Sequence, residues 1–206
     1  MPGILTAVYF AGLILALGIR APHEWRRRRN RIKYHRGGWI EAVLIWLVVV
    51  AMFLLPAMYA LSPWLDFADY QLPSWAGIAG VLVFSGAMWL FRRAHADLGR
   101  NFSPTLQVWE EHTLVVSGVY RHVRHPMYAA QWLWGISQVL LLHNWIAGFS
   151  GLALSVLLYL FRIPGEERMM LAHFGEEYRS YMDRTGRIVP RPRRTASTRS
   201  RGTEAG

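Results

Sequence analysis

Between Gly118 and Tyr128 the chain reads Gly-Val-Tyr-Arg-His-Val-Arg-His-Pro-Met-Tyr, a run of cationic and aromatic side chains just ahead of an apolar stretch. Pro126 suits the first turn of a helix, because its missing N–H would have no partner there in any case. The N-terminus of that helix offers free backbone N–H groups and the positive end of a dipole, a setting for an anionic ligand group. A second cluster, Arg162 with Glu166 and Glu167, follows the next apolar stretch. One basic and one acidic group near a helix N-terminus make a polar ligand site. Read singly, Arg121, Arg124 and the histidines are membrane-flanking charges, and Tyr120 and Tyr128 are an interfacial belt. His122 and His125 raise the question of a metal. With no HExxH motif and no cysteine, the sequence points to no metal site.

Five apolar stretches position these groups: 3–19, 39–61 (with Pro56 inside it), 74–91, 126–142 and 145–161. A helical span needs roughly 17 to 25 residues to cross about 30 Å of hydrocarbon. Only His143 and Asn144 separate the last two stretches, which predicts an antiparallel helical hairpin. The hairpin returns the chain to the side it left, so the run before Pro126 and the cluster at Arg162 lie close in space. The expected fold is an all-α integral membrane protein of about five transmembrane helices.

Charge placement agrees with that count. All 23 Lys and Arg fall within 20–36, within 92–124 or from Arg162 onward. With five spans these segments share one side, the cytoplasm by the positive-inside rule, leaving the N-terminus outside. The loop 62–73 has Asp66 and Asp69 and no Lys or Arg. The net charge of +10 is therefore directed at anionic lipid headgroups, and no nucleic-acid partner is expected. The first stretch lacks a basic leader, so it reads as an anchor helix and not a signal peptide. Segment 20–38 reads as a basic connector. Segment 165–184 reads as an amphipathic cytoplasmic helix, with Met170, Phe174 and Tyr178 at every fourth position and Gly175 in its middle. The expected organisation is a single membrane domain over 1–190 and a disordered basic tail over 191–206.

Several motifs stand in order along the C-terminal half. They are His112-Thr-Leu-Val-Val-Ser-Gly-Val-Tyr120, Arg124-His125-Pro126-Met127-Tyr128, Trp134-Gly135 with Gln138, Glu166-Glu167, and His173-Phe-Gly-Glu-Glu-Tyr178 with Tyr181. Together they resemble the isoprenylcysteine carboxyl methyltransferase family, membrane methyltransferases related to the phospholipid methyltransferases. The resemblance runs from about 102 to 190; the first three stretches match only as hydrophobic segments. It implies S-adenosyl-L-methionine as methyl donor, bound on the cytoplasmic side between the last hairpin and the C-terminal helix. Carried over position by position, Gln107, His112, Thr113, Leu114, Val115, Tyr120, His125, Pro126, Met127, Tyr128 and Glu166 are implied cofactor contacts. Arg162 matches the position that orients the substrate carboxylate. Ala129-Ala130 departs from the pattern, where many members carry a glycine.

The chemistry suits a carboxylate acceptor. It is already ionised at pH 7 and needs no general base, only a cation to hold it, such as the planar fork of Arg162. The acceptor expected is a lipophilic, isoprenylcysteine-like molecule presented from the bilayer. If the acceptor were a phospholipid amine or a small thiol, Glu167 or His125 would be the candidate base. Two further readings are a sterol-type membrane reductase using a nicotinamide cofactor and a non-enzymatic scaffold. Neither the acceptor nor the oligomeric state is written in the sequence.

Overall fold

A computed structural model describes residues 2–27, 32–35, 38–99, 107–109 and 113–191. Its main elements are α1 (Pro2–Arg27), β1 (Ile32–His35), α2 (Trp39–Val49), α3 (Leu55–Leu61), α4 (Ser74–Leu98), β2 (Gln107–Trp109), α5 (Pro126–Leu142), α6 (Trp145–Phe174) and α7 (Glu176–Arg184). A π-helical turn, Val50–Leu54, joins α2 to α3, and 3-10 turns occupy Pro63–Ala68 and Gly118–Arg121.

Among the described residues, four helical stretches are long and apolar enough to cross a membrane: Gly3–Trp25, Trp39–Leu61, Ser74–Leu98 and Trp145–Phe174. α5 has 17 residues and packs between α4 and α6. Outward faces are strongly apolar, with Ile14, Trp46, Leu61 and Leu82 among many exposed hydrophobic side chains. Hydrocarbon is the solvent that tolerates so much of this surface. The buried side of the bundle gathers Tyr9, Leu13, Phe84, Trp134, Leu141 and Leu158.

Several expected boundaries shift. α1 runs to Arg27 and α4 to Leu98, beyond their apolar stretches, because long helices carry their charged ends out of the apolar zone. The segment 20–38 is not merely a connector. It completes α1, and then Ile32–His35 pairs antiparallel with Gln107–Trp109, so the described fold is helical apart from this short ladder. The helix expected over 165–184 is two elements. α6 continues without interruption through Pro164 to Phe174, and the break falls at Gly175, whose φ of 55° is left-handed. Glycine adopts that conformation without the Cβ penalty, so it ends one helix and reorients the next. The basic tail beyond Arg191 lies outside the described residues.

Pro56 has the most far-reaching local effect. It has no N–H to offer the carbonyl four residues back, that of Met52. The chain answers with the π turn, where Leu55 N–H bonds to Val50 O in place of Ala51 O. Two carbonyls are freed and side chains satisfy both. Tyr9 OH donates to Met52 O at 2.8 Å, and Gln138 Nε2 donates to Ala51 O at 2.8 Å. Trp134 Nε1 donates in turn to Tyr9 OH at 3.3 Å. A single proline thus ties α1 and α5 to the second span.

The hairpin between α5 and α6 is as expected. His143 is left-handed and Asn144 caps α6, its Oδ1 accepting from Ile146 N and Ala147 N at 3.1 and 2.9 Å. Asn144 Nδ2 donates to Leu65 O at 2.7 Å and Asp69 Oδ1 at 2.8 Å, which locks the turn to the loop after α3. Close approach along the hairpin depends on Gly135, where an added Cβ would lie 2.7 Å from Leu152 Cα. Ala130, where the family pattern has glycine nearby, is buried without preventing this packing.

Candidate functional site

The segment leading into α5 is folded by its own polar groups. Gly118 has a φ of 58° and sits against Asp97 of α4, whose Oδ2 accepts from Val119 N at 2.9 Å. Arg93 pairs with the same carboxylate at 3.0 Å. Tyr120 is buried, and burial, with Glu166 adding to it, pushes its phenol well above the usual tyrosine range. The turn is then clasped from the C-terminal side. Tyr181 OH donates to Tyr120 O at 2.6 Å, Arg124 N donates to Gly186 O and His125 N to Arg187 O, each at 2.8 Å.

At the centre of the clasp is Glu167, which is 5% exposed. Its Oε1 accepts from Arg124 Nη2 at 3.1 Å and its Oε2 from Arg187 Nη2 at 2.7 Å, with His125 Nε2 3.4 Å from Oε1. Arg124 also donates to Met182 O and Thr185 O. The hydrogen bonds to Glu167 raise the pKa of Arg187. Burial raises the phenols of Tyr178 and Tyr181 above the usual tyrosine range. The carboxylate of Glu167 is occupied on both oxygens by two guanidinium groups and does not line the cavity described next. That placement argues against Glu167 as a general base for an amine or thiol acceptor. An ionised acid neutralised by two arginines has no tendency to take a proton, and it faces no acceptor.

The clasp and the helices enclose a cavity of about 300 Å³. Thr113, Leu114, Val115, Tyr120, His125, Pro126, Met127, Tyr128, Glu166 and Arg162 all line it. So do Tyr178 and Tyr181 from α7, which sequence reasoning placed in the family pattern without a role. Of the remaining expected contacts, Gln107 is described by its backbone alone, opposite His35 in the ladder, and His112 lies outside the described residues. His122 is exposed whereas His125 is buried.

The two ends of the cavity differ. Toward the C-terminal clasp it is polar. Tyr128 OH donates to Glu166 Oε2 at 3.3 Å, and His125 Nδ1 lies 3.9 Å from Glu166 Oε1. α5 begins there with no side-chain cap, and its first helical bond runs from Ala129 N to His125 O. The N–H groups of Met127 and Tyr128 precede that bond, so the helix leaves them without an internal acceptor, and both residues line the cavity. Toward the bundle the lining is apolar: Ile45, Val48, Met52 and Phe53 of the second span, with Trp134 and Leu158. Arg162 stands on α6 with a partner that sequence reasoning missed, Glu41 of α2, at 3.3 Å from Nε to Oε1. The signal that could have found it is an acid in the first turn of an otherwise apolar span.

These residues fit S-adenosyl-L-methionine. Its carboxylate suits the uncapped N-terminus of α5, and its α-amino group suits Glu166.

Comparison with known proteins gives the same direction. The model of the isoprenylcysteine carboxyl methyltransferase (ICMT) family matches residues 78–172. Protein-S-isoprenylcysteine O-methyltransferase of Homo sapiens is 35% identical over 141 residues, covering 64% of this chain and 49% of that protein. The Rattus norvegicus protein of the same name is 34% identical over 141 residues, with coverages of 64% and 49%. A solved structure of the eukaryotic intramembrane Ras methyltransferase ICMT aligns with a TM-score of 0.53 at 28% identity, covering 73% of this chain and 51% of that one. The chain spans about half the length of the curated relatives it matches. The matched segment runs from α4 through α5 into α6 and contains the α5 entrance, Arg162, Glu166 and Glu167. In sequence and in fold, this segment resembles the isoprenylcysteine carboxyl methyltransferase family.

Proposed function

We propose that this chain is an integral membrane methyltransferase that moves a methyl group from S-adenosyl-L-methionine to the carboxylate of a lipophilic, isoprenylcysteine-like acceptor. The observation that carries this reading is one two-ended cavity. Ten residues expected at the site line it, Arg162 among them, with a polar end facing the α7 clasp and an apolar end facing the bundle.

When bound, S-adenosyl-L-methionine supplies a methyl group on a sulfonium, and its transfer to a carboxylate oxygen breaks the S–C bond with no proton to remove. The protein's part is positioning and exclusion of water. Glu166 and the free N–H groups of Met127 and Tyr128 hold the two charged ends of the methionine moiety. Tyr128 steadies Glu166, and His125 stands between Glu166 and the Glu167 clasp. Arg162 holds the acceptor carboxylate. The apolar wall from Ile45 to Phe53 receives the hydrocarbon part of the acceptor, which enters sideways from the bilayer.

In the membrane we place five spans, with α5 as the fourth. Its 17 residues rise about 25 Å, enough when flanked by interfacial side chains. Exposed tryptophans mark both ends: Trp64, Trp75 and Trp145 at one, Trp25 and Trp39 at the other. The clasp and the polar end of the cavity then face the cytoplasm.

The experiment is transfer of a labelled methyl group from S-adenosyl-L-methionine, using the purified full chain in nanodiscs. The acceptor panel holds prenylcysteine analogues, phosphatidylethanolamine and small thiols. Label in a base-labile methyl ester of the prenylcysteine analogues supports the proposal; label only in the amine or thiol products overturns its acceptor, and no transfer overturns it entirely.

A further inference from the structure

Glu41 has no place in the reading so far beyond its contact with Arg162. It stands in the first turn of α2, outside the family-matched segment 78–172, and is 3% exposed. A carboxylate buried at the end of an apolar span is costly unless a cation compensates it, and Arg162 is that cation. Mutual neutralisation alone does not account for the geometry. The approach of 3.3 Å is through Nε, and it is an ion pair without a directed hydrogen bond, since neither Nε nor Oε1 has a hydrogen-bond partner among the described residues. The two Nη nitrogens, the fork that best matches a carboxylate, donate no hydrogen bond among the described residues, and Arg162 lines the cavity.

Glu41 is also in register with the acceptor wall. Ile45, Val48, Val49 and Met52 line the cavity, and Glu41 lies one turn ahead of Ile45 on the same face of α2. The helix that would receive the hydrocarbon of the acceptor therefore also supplies the anion that touches the head-group cation.

We infer that Glu41 is a positioning residue for the acceptor: it steadies the Arg162 guanidinium from the Nε side and leaves the Nη fork for the acceptor carboxylate. This rests on the proposed role of Arg162. It also gives the N-terminal half, which resembles the family only as hydrophobic segments, a part in acceptor recognition.

The test uses the full chain in nanodiscs with a prenylcysteine analogue as acceptor, and compares Glu41→Gln, Glu41→Asp, Arg162→Ala and the Glu41→Gln/Arg162→Ala double variant. Binding of S-adenosyl-L-methionine counts the folded sites. Glu41→Gln is expected to raise the KM for the acceptor about tenfold, the lower end for loss of a supporting partner, with cofactor affinity unchanged. Glu41→Asp should recover part of that loss, and the double variant should be no worse than Arg162→Ala alone. An unchanged acceptor KM in Glu41→Gln, beside a loss of turnover in Arg162→Ala, overturns the inference and leaves the proposed function standing. The inference fails in the same way if Glu41→Gln lowers only the number of folded sites, because the pair is then charge compensation. Full turnover by Arg162→Ala removes the carboxylate-holding role itself, and the inference with it.

Discussion

Glu166 and Glu167 are neighbours in sequence and opposite in circumstance. Glu166 is partly open and lines the cavity, with Tyr128 and His125 beside it; Glu167 is sealed between Arg124 and Arg187. Their substitutions should therefore separate cleanly. His125→Ala and Glu166→Ala should each weaken S-adenosyl-L-methionine binding, measured by calorimetry in detergent, by about 1 to 3 kcal/mol for a lost charge-assisted contact. Unchanged dissociation constants in both folded variants would remove these residues from the cofactor site. Glu167→Ala should act on stability instead. It leaves Arg124, 5% exposed at its side chain, without its carboxylate, and breaking a buried pair from one side costs about 3 to 5 kcal/mol. A clear fall in Tm is the expected result. Loss of turnover at unchanged Tm would restore Glu167 as a base.

At the scale of elements, the hairpin and the second span show how little slack the bundle has. Gly135 permits α5 to touch the α6 backbone at Leu152, and no flexible side chain is available there to give way. Gly135→Ala should lower stability by about 1 to 3 kcal/mol through overpacking. Gly86 on α4 is the matched control, since an added Cβ there meets nothing within 4 Å. Gly86→Ala should be neutral or stabilising by up to about 1 kcal/mol from helix propensity. Equal effects of the two substitutions on Tm would contradict the close α5–α6 contact. The hairpin was legible in the sequence because a two-residue gap between apolar runs has one geometric solution. The π turn was not. Pro56 announces a disturbed helix, but which side chains would satisfy the freed carbonyls depends on Tyr9 and Gln138, which stand 43 and 87 residues from their acceptors.

For the whole molecule, the arrangement of charge gives the remaining prediction. Reporter fusions at the C-terminus should score cytoplasmic, and fusions in the loop 62–73 should score extracytoplasmic; the reverse pattern would refute the orientation. The hydrophobic runs, their charged flanks and the ordered motifs of the C-terminal half are local properties, and the sequence by itself determined them. Membrane character and the hairpin followed, because hydropathy acts over short stretches of chain, and the family resemblance carried by the ordered motifs implied ten of the cavity-lining residues. Only the tertiary structure decided which partner each charged group takes. It joined Glu41 to Arg162 across 121 positions, gave Glu167 to two arginines in place of a substrate, and carried Tyr178 and Tyr181 over the cavity from beyond the Gly175 break. Buried charges must be compensated by whatever packing brings within a few ångströms, and neighbours in space are not neighbours in sequence.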